Sequence, residues 1–222
     1  EITVTARKKE ESIFETPLAI TAVDAAEIKA AGFKNILDVQ KTAPGLFIES
    51  MNNENGRVVV MPRFRGVTFD ATSPLQRTSS VFVDGLIVTS GLHSLPITQV
   101  ERVEIIKGPQ SALFGRNTYS GAINIVTAKP GDEFKGSIEY DVANKSGATA
   151  NGFFEGPIGD MAAARFNWSY TDKDGHYMND NALLEAPQRL GDEQSLALGA
   201  LIDINPSENL NITLRASRYE DL

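Results

Sequence analysis

Residues 134–222 alternate between apolar and polar side chains with a period of two, and this pattern restricts the fold more than any other feature of the chain. Within 161–171 the apolar side chains occupy the even positions, namely Ala162, Ala164, Phe166, Trp168 and Tyr170. The alternation predicts five β-strands, near 134–142, 148–156, 161–171, 195–205 and 209–219. Each holds about 9–11 residues, the length that crosses a lipid bilayer when a strand is tilted.

The connections between these strands differ in length. The stretch 172–194 is long and polar, whereas 156–160 and 205–208 are short. Long loops on one side and tight turns on the other are typical of outer-membrane β-barrels, and Trp168 and Tyr170 lie where such a barrel carries its aromatic belt. A soluble β-sandwich with one face packed on a second sheet would show the same alternation. The pattern alone therefore leaves both architectures open.

Composition excludes several other classes of protein. The chain has 222 residues, no cysteine, and 21 Lys and Arg against 29 Asp and Glu, which gives a formal net charge of −8. The lack of cysteine excludes disulfide scaffolds and cysteine-ligated metal centres. The acidic balance argues against a nucleic-acid partner, which needs a basic surface. No run of about 20 apolar residues occurs, so we predict no transmembrane helix.

The first 130 residues lack this continuous alternation. They predict a compact α+β domain of short helices, short strands and turns. Asp24 and Glu27 form a capping-box pattern for a helix that ends at Gly32. A second short helix is expected over 35–41.

Turn signals divide the rest of this part into strands. The Asp-Gly pair at 84–85 lies between two apolar runs and predicts a β-hairpin. The sequence of 98–101 matches a capping box and predicts a single helical turn. Strands are predicted at 58–60, 81–83, 86–88, 102–107 and 122–127.

One segment of this part carries a specific motif. It runs from Gln99 to Thr127 and reads QVERVEIIKGPQSALFGRNTYSGAINIVT. This segment closely resembles the plug-domain signature of TonB-dependent outer-membrane receptors. Shorter features fit the same family in order, namely Pro44-Gly45, Arg63-Phe64-Arg65-Gly66 and Val83-Asp84-Gly85.

The resemblance implies a fold: an α+β plug domain followed by antiparallel transmembrane β-barrel strands, within a 22-stranded barrel that the plug occludes. We expect residues 1–10 to form a TonB box and linker, 11–133 the plug domain, and 134–222 about the first five strands of the barrel. Twenty-two strands of about ten residues need roughly 220 residues for the wall alone. The chain is therefore expected to be an amino-terminal fragment.

The resemblance also implies active uptake of a scarce ligand across the bacterial outer membrane. In this family the ligand binds from outside, and TonB, energised by ExbB and ExbD, pulls the plug open from the periplasm. The expected cargo is an iron–siderophore complex; a vitamin, haem or a glycan is the alternative by the same mechanism, and a non-transport β-rich binding module is the alternative of another class. The expected partners are TonB with ExbB and ExbD, outer-membrane lipid and a small-molecule ligand, with no nucleic acid.

The amino terminus resembles a TonB box, so the expected TonB-binding residues are Glu1, Ile2, Thr3, Val4, Thr5 and Ala6. β-Branched residues favour an extended chain, and an unpaired extended segment can add as a strand to the sheet of a partner. The alternatives are a flexible terminus or the first strand of the plug.

Four charged residues are expected to contact the barrel wall, namely Arg65, Arg102, Glu104 and Arg116. In the resembled family, plug arginines at such motifs face carboxylates of the wall, and a guanidinium group can form paired hydrogen bonds with a carboxylate. Ordinary surface salt bridges are the alternative.

Ligand contacts are expected in two stretches, 70–77 and 89–96, with Asp70, Gln76, Arg77 and His93 as candidates. The glycines of 108–115 lack the Gly-Lys-Ser/Thr of a phosphate loop, and the polar residues of 172–181 lack calcium-loop spacing. No nucleophile–base pair is found. We therefore expect no catalytic residue, no metal site, no cofactor and no enzymatic activity.

Overall fold

The structure is a computed structural model. It describes residues 3–5, 9, 11–52, 58–67, 77–88, 95, 97, 100–143, 147–175, 177–178 and 189–221. The chain divides into two compact units, Glu1–Ala128 and Lys129–Leu222, which we call the N-terminal unit and the C-terminal unit. The predicted plug domain ends at residue 133, a few residues beyond this division. The limits of the predicted domains stay a prediction.

The described part of the N-terminal unit consists of short strands and short helices. Its strands are β1 (Thr3–Val4), β2 (Glu11–Ser12), β3 (Ala19–Asp24), β4 (Leu46–Asn52), β5 (Val58–Phe64), β6 (Ser79–Val83), β7 (Leu86–Val88), β8 (Val100–Lys107) and β9 (Gly121–Thr127). Its helices are α1 (Ala25–Ala30), a 3₁₀ helix (Ile36–Thr42) and α2 (Ser111–Phe114).

A five-stranded sheet with the order β3-β8-β9-β6-β7 organises this unit. Its neighbours run antiparallel, except that β9 and β6 are parallel. Two-stranded sheets are formed by β1 with β2 and by β4 with β5. Val103, Ile105, Ile123 and Ile125 are fully buried, so the apolar runs of β8 and β9 form the centre of the core. The predicted α+β fold is confirmed.

Helix α1 begins with the predicted capping box. The amide of Glu27 donates to the Asp24 carboxylate at 2.8 Å, and the amide of Asp24 donates to the Glu27 carboxylate at 3.2 Å. Gly32 follows the helix with a φ of +66°, a left-handed conformation that glycine adopts without strain. The second predicted helix is a 3₁₀ helix, and the Asn35 side chain accepts the amide of Leu37 at its start.

The predicted helical turn over 98–101 is wrong where it can be compared. Val100 and Glu101 lie in strand β8, and 98–99 fall outside the described residues. Val100 pairs with Thr127 of β9, so the strand begins before the buried run that starts at Arg102. Local helix-capping preference is a weak prior, and pairing in the central sheet overrides it.

The C-terminal unit is built almost entirely of strands in its described part. They are β10 (Lys135–Ala143), β11 (Gly147–Pro157), β12 (Ala162–Lys173), β13 (Tyr177–Met178), β14 (Arg189–Leu190), β15 (Glu193–Ser207) and β16 (Leu210–Asp221). Strands β10, β11, β12, β15 and β16 pair in this order as one antiparallel sheet, and β13 pairs with β14. The five long predicted strands are confirmed. Within the described ranges, no helix is both long and apolar enough to cross a membrane.

The two faces of this sheet differ as the alternation predicts. One face carries apolar side chains that are exposed in the structure, among them Ile138, Tyr140, Val142, Phe154, Phe166 and Leu214. The opposite face carries polar side chains, and on it Arg165 pairs with Glu155 and lies 3.8 Å from the ring centre of Phe153. A broad exposed apolar face is unfavourable in water, whereas lipid can cover it.

Two details of the connections differ from the sequence prediction. The short pair β13–β14 lies inside the long connection predicted over 172–194. Strand β15 runs on to Ser207, beyond the predicted start of a turn at Asn205, and its pairing register with β16 shifts between Ile204 and Ser207. Pro206 has no backbone N–H to donate, and a break in register lets the strand continue past it.

Candidate functional site

The described residues of the predicted TonB-binding segment include a short strand. Thr3 pairs with Ser12 and Val4 with Glu11, and the Val4 side chain is 1% exposed. The predicted residues Glu1, Ile2 and Ala6 lie outside the described residues. Residues 3–4 thus have the arrangement considered from the sequence as the alternative, a strand of the plug, and the binding of TonB stays a prediction.

Thr5, directly after this strand, is bound by a buried carboxylate. Its amide donates to Glu104 Oε1 at 2.6 Å, and its hydroxyl lies 3.0 and 3.2 Å from the two carboxylate oxygens. Glu104 is 0% exposed and belongs to β8, an interior strand of the five-stranded sheet. Thr5 is therefore attached to an interior strand of the sheet through the side chain of Glu104.

Two more residues complete the surroundings of this carboxylate. Arg102 Nε donates to Glu104 Oε1 at 2.9 Å, and Asn124 Nδ2 donates to Glu104 Oε2 at 3.2 Å. Asn124 Nδ2 also lies 3.3 Å from the hydroxyl of Thr5. We call Thr5, Arg102, Glu104 and Asn124 the Glu104 cluster. A buried charge is tolerated when it is paired and its remaining lone pairs accept hydrogen bonds, as they do here.

The Glu104 cluster is linked to the hairpin between β6 and β7. The amide of Gly85 donates to Asn124 Oδ1 at 3.0 Å, so Asn124 bridges the hairpin turn and Glu104. Asp84 in the same turn accepts the amide of Thr127 at 2.9 Å and its hydroxyl at 3.0 Å. Positive φ angles of 48° at Asp84 and 78° at Gly85 explain why an Asp-Gly pair makes this turn.

The four residues predicted to face the barrel wall divide into two pairs. Arg102 and Glu104 are buried and bind each other, and Arg102 also pairs with Glu101 at the edge of the site. Arg65 and Arg116 are exposed. These observations concern the N-terminal unit alone, so contact with a barrel wall stays a prediction for all four.

Of the predicted ligand contacts, Arg77 alone is within the part of the chain that the structure describes. Asp70, Gln76 and His93 lie outside it. Arg77 and Arg116 line a cavity of about 620 Å³ beside β5, β6 and β7, with Met61 and Phe82 among its apolar walls. The Nε atom of Arg77 is buried without a hydrogen-bond partner. Ligand contact at these residues stays a prediction.

The sequence prediction missed the contacts of Thr5 and Asn124 with Glu104. A signal was present, because Glu104 and Asn124 each interrupt an apolar run, in VEII and in AINIV. A polar residue inside a buried strand requires hydrogen-bond partners. Nothing in the pattern identifies Thr5 as one of them, because it is 99 residues away from Glu104 along the chain. Among the described residues, no group of three acidic or histidine side chains is arranged to hold a metal ion.

Comparison with known proteins connects these features to a family. Residues 12–122, half of the chain, match the family model of the TonB-dependent receptor plug domain. The pesticin receptor of Yersinia pestis is 31% identical over 160 residues, covering 72% of this chain and 23% of the receptor. The vitamin B12 transporter BtuB of Vibrio vulnificus is 26% identical over 188 residues, covering 82% of this chain and 29% of the transporter.

Solved structures show the same fold. The ferric yersiniabactin uptake receptor FyuA of Yersinia pestis superposes with a TM-score of 0.80 at 25% identity, covering 91% of this chain and 31% of the receptor. The chain thus spans between about a quarter and a third of the length of these relatives. The relatives are receptors and transporters rather than enzymes, in agreement with the sequence prediction. Because the plug model covers half of the chain and the structural likeness extends beyond it, the chain belongs to the family of TonB-dependent receptors of the bacterial outer membrane.

Proposed function

We propose that the receptor containing this chain takes up an iron–siderophore complex across the outer membrane, using energy delivered by TonB with ExbB and ExbD. One observation carries the proposal of transport: the same chain contains a plug-type α+β unit and an antiparallel sheet with one exposed apolar face. The first unit is suited to closing a pore, and the second is suited to contact with lipid.

The cargo is inferred from the relatives. FyuA is a ferric yersiniabactin uptake receptor, and it shares the fold over most of this chain. Selective binding followed by energised release is the mechanism we propose for uptake of such a complex.

The proposed docking point for TonB is the segment 1–6. Its described residues include a short extended strand, and Ile2, Thr3, Val4 and Thr5 favour this conformation. A strand can bind the edge of a partner sheet through main-chain hydrogen bonds, with little demand on side-chain identity. Such an attachment transmits a pulling force directly to the chain that enters the plug.

Vitamin B12 is the second candidate cargo, because BtuB matches 82% of this chain. Haem and glycans remain alternatives by the same mechanism. Uptake of radiolabelled iron bound to yersiniabactin, measured beside uptake of radiolabelled vitamin B12, separates the first two candidates. Saturable uptake of the vitamin with none of the iron complexes would overturn the siderophore proposal.

The energised step is tested by deleting residues 1–6 from the full-length receptor in cells. We expect binding of the transported ligand to change by less than about twofold and its uptake to be lost, because deletion removes the attachment for TonB. Ile2→Pro should reproduce the loss by removing a main-chain donor, while Ile2→Val is the matched control that should transport normally. Undiminished uptake after the deletion would contradict energised transport.

A further inference from the structure

The cavity beside β5, β6 and β7 combines apolar walls with two cationic side chains. Its volume is about 620 Å³, and its lining includes Met61, Phe82 and Phe114 together with Arg77 and Arg116. Cavities of this size in proteins hold small organic molecules rather than single ions. The volume and the lining therefore suit a ligand that is apolar over most of its surface and charged at one end.

The apolar walls of the cavity are fixed by the core of the N-terminal unit. Met61 and Phe82 are buried, and Phe82 packs on Ile106 and Ala122 of the central sheet. The ring centres of Phe82 and Phe114 lie 4.8 Å apart, with their planes inclined by 57°. Aromatic rings and a thioether offer a large apolar contact area, so a flat apolar group can pack against them.

The two arginines provide unbalanced positive charge. Neither has a charged partner within the part of the chain that the structure describes, and its lining of the cavity contains no aspartate or glutamate. Arg77 is half-buried with its Nε atom enclosed and unpaired, whereas Arg116 is exposed. A buried donor without an acceptor is unfavourable, and an anion placed at Arg77 removes this cost.

The serine hydroxyls of the lining do not compete for this role. Ser79 donates its hydroxyl to the carbonyl oxygen of Pro62, and Ser80 donates to that of Asn117 at 2.9 Å. Each hydroxyl has one hydrogen to donate, and in both residues a backbone carbonyl already accepts it. The charged donors of Arg77 and Arg116 are therefore the groups that select the acid end of a ligand.

We propose that this cavity binds a small organic acid, with its carboxylate at Arg77 and its apolar body against Met61, Phe82 and Phe114. A guanidinium group binds a carboxylate through paired, charge-assisted hydrogen bonds. Arg116, on the exposed side, adds attraction for the anion that solvent weakens. The inference goes beyond the proposed function, because this binding requires neither TonB nor an iron complex.

The test uses radiolabelled naphthoate, an aromatic carboxylate, and the intact receptor in lipid vesicles at neutral pH. Equilibrium dialysis measures bound ligand, and vesicles without receptor correct for partition into lipid. We expect one saturable site with a dissociation constant of about 0.1 mM, which is ordinary for a ligand of this size.

Three competitors separate the acid group from the apolar body. Acetate and inorganic phosphate should compete at least about a hundredfold more weakly than naphthoate, because neither covers the apolar walls. Naphthalenemethanol has the same rings without the charge and should compete about thirtyfold more weakly. Equal competition by the alcohol, or stronger competition by phosphate, would overturn the assignment of an organic acid.

Variants locate the site within the receptor. Arg77→Gln should weaken naphthoate binding about thirtyfold, and Arg116→Gln about threefold because Arg116 is exposed. Lys34→Gln is the matched control: it removes one exposed positive charge from the same unit, Lys34 does not line the cavity, and the affinity should stay within about twofold of the parent.

Folding of the variants is checked by thermal unfolding without ligand. The Nε atom of Arg77 has no hydrogen bond to lose, so Arg77→Gln should unfold at the parent temperature or above it. Arg77→Lys is the second variant; it keeps the charge but loses the paired geometry, and it should bind about fivefold more weakly. Parent-like affinity in both Arg77 variants would overturn the proposal, as would the lack of saturable binding to the parent.

Discussion

The two units place their apolar side chains in opposite ways. In β8 and β9 of the N-terminal unit the aliphatic residues are enclosed, with Ile105 and Ile123 at 0% exposure, and a polar cluster lies among them. In the C-terminal unit Ile138 and Val142 are 67% and 73% exposed, and the polar side chains face the other way. The N-terminal unit is stabilised by excluding water from its own interior, whereas the apolar face of the C-terminal unit requires lipid to cover it. The same residue types therefore have different consequences in the two units.

The largest expected effect comes from truncating the core of the N-terminal unit. Ile105→Ala should lower the free energy of unfolding of this unit by about 2–5 kcal/mol, because the cavity is enclosed by protein and cannot be filled by solvent. Ile138→Ala is the matched substitution in the C-terminal unit and should cost less in a bilayer, since lipid can occupy the vacated space. Denaturant-dependent hydrogen exchange of each unit in the intact receptor measures both values. Equal losses in the free energy of unfolding for the two variants would contradict this difference between the units.

The next effect comes from placing a charge on the apolar face. Ile138 lies near the middle of β10, so Ile138→Arg should destabilise the folded receptor in lipid by about 2–4 kcal/mol, the cost of arginine facing the bilayer centre. Ser137→Arg places the same charge one residue away on the polar face and should be tolerated much better. Reversible unfolding from lipid vesicles gives the two free energies. If the two variants were equally destabilised, the assignment of the faces would be wrong.

A smaller effect tests how closely the strands of the C-terminal unit pack. A Cβ atom at Gly152 would lie 2.6 Å from the carbonyl oxygen of Ser137 and 3.0 Å from Trp168 Nε1. Gly152→Ala should therefore cost about 1–3 kcal/mol by overpacking. Gly131→Ala is the control, because its Cβ would only meet Glu155 Oε1 at an ordinary 3.5 Å. Heat-dependent loss of the folded band in detergent gels compares the two, and a lower stability of the control would contradict this explanation.

The sequence predicted the features that depend on local pattern. The alternation around Phe166 and Trp168 predicted a strand with an apolar face, and the capping residues Asp24 and Glu27 predicted the start of α1. In both cases the determining residues are neighbours along the chain. The same locality explains the error at 98–101, where a capping pattern could not reveal that the segment joins a central strand.

The contacts that define the candidate site depend on tertiary structure and were not predictable in this way. Glu104 and Asn124 are opposite each other on β8 and β9, and their distance along the chain is set by the turn and helix between those strands. Thr5 contacts both residues although it is 99 residues away from Glu104 along the chain. A polar residue in an apolar run indicates that a buried partner exists, but the fold decides which residue it is.

A receptor of the outer membrane requires that the C-terminal sheet face lipid on one side. The most direct measurement is a spin-label scan of residues 163–170 in β12, in bilayers, comparing accessibility to oxygen with accessibility to a water-soluble nickel complex. We predict maxima of oxygen accessibility at Ala164, Phe166 and Trp168, and minima at Arg165, Asn167 and Ser169. This profile follows from the strand register in which Trp168 of β12 lies opposite Leu198 of β15. Contact of the even positions with the nickel complex, or a flat profile without alternation, would contradict a lipid-facing sheet and favour a soluble one.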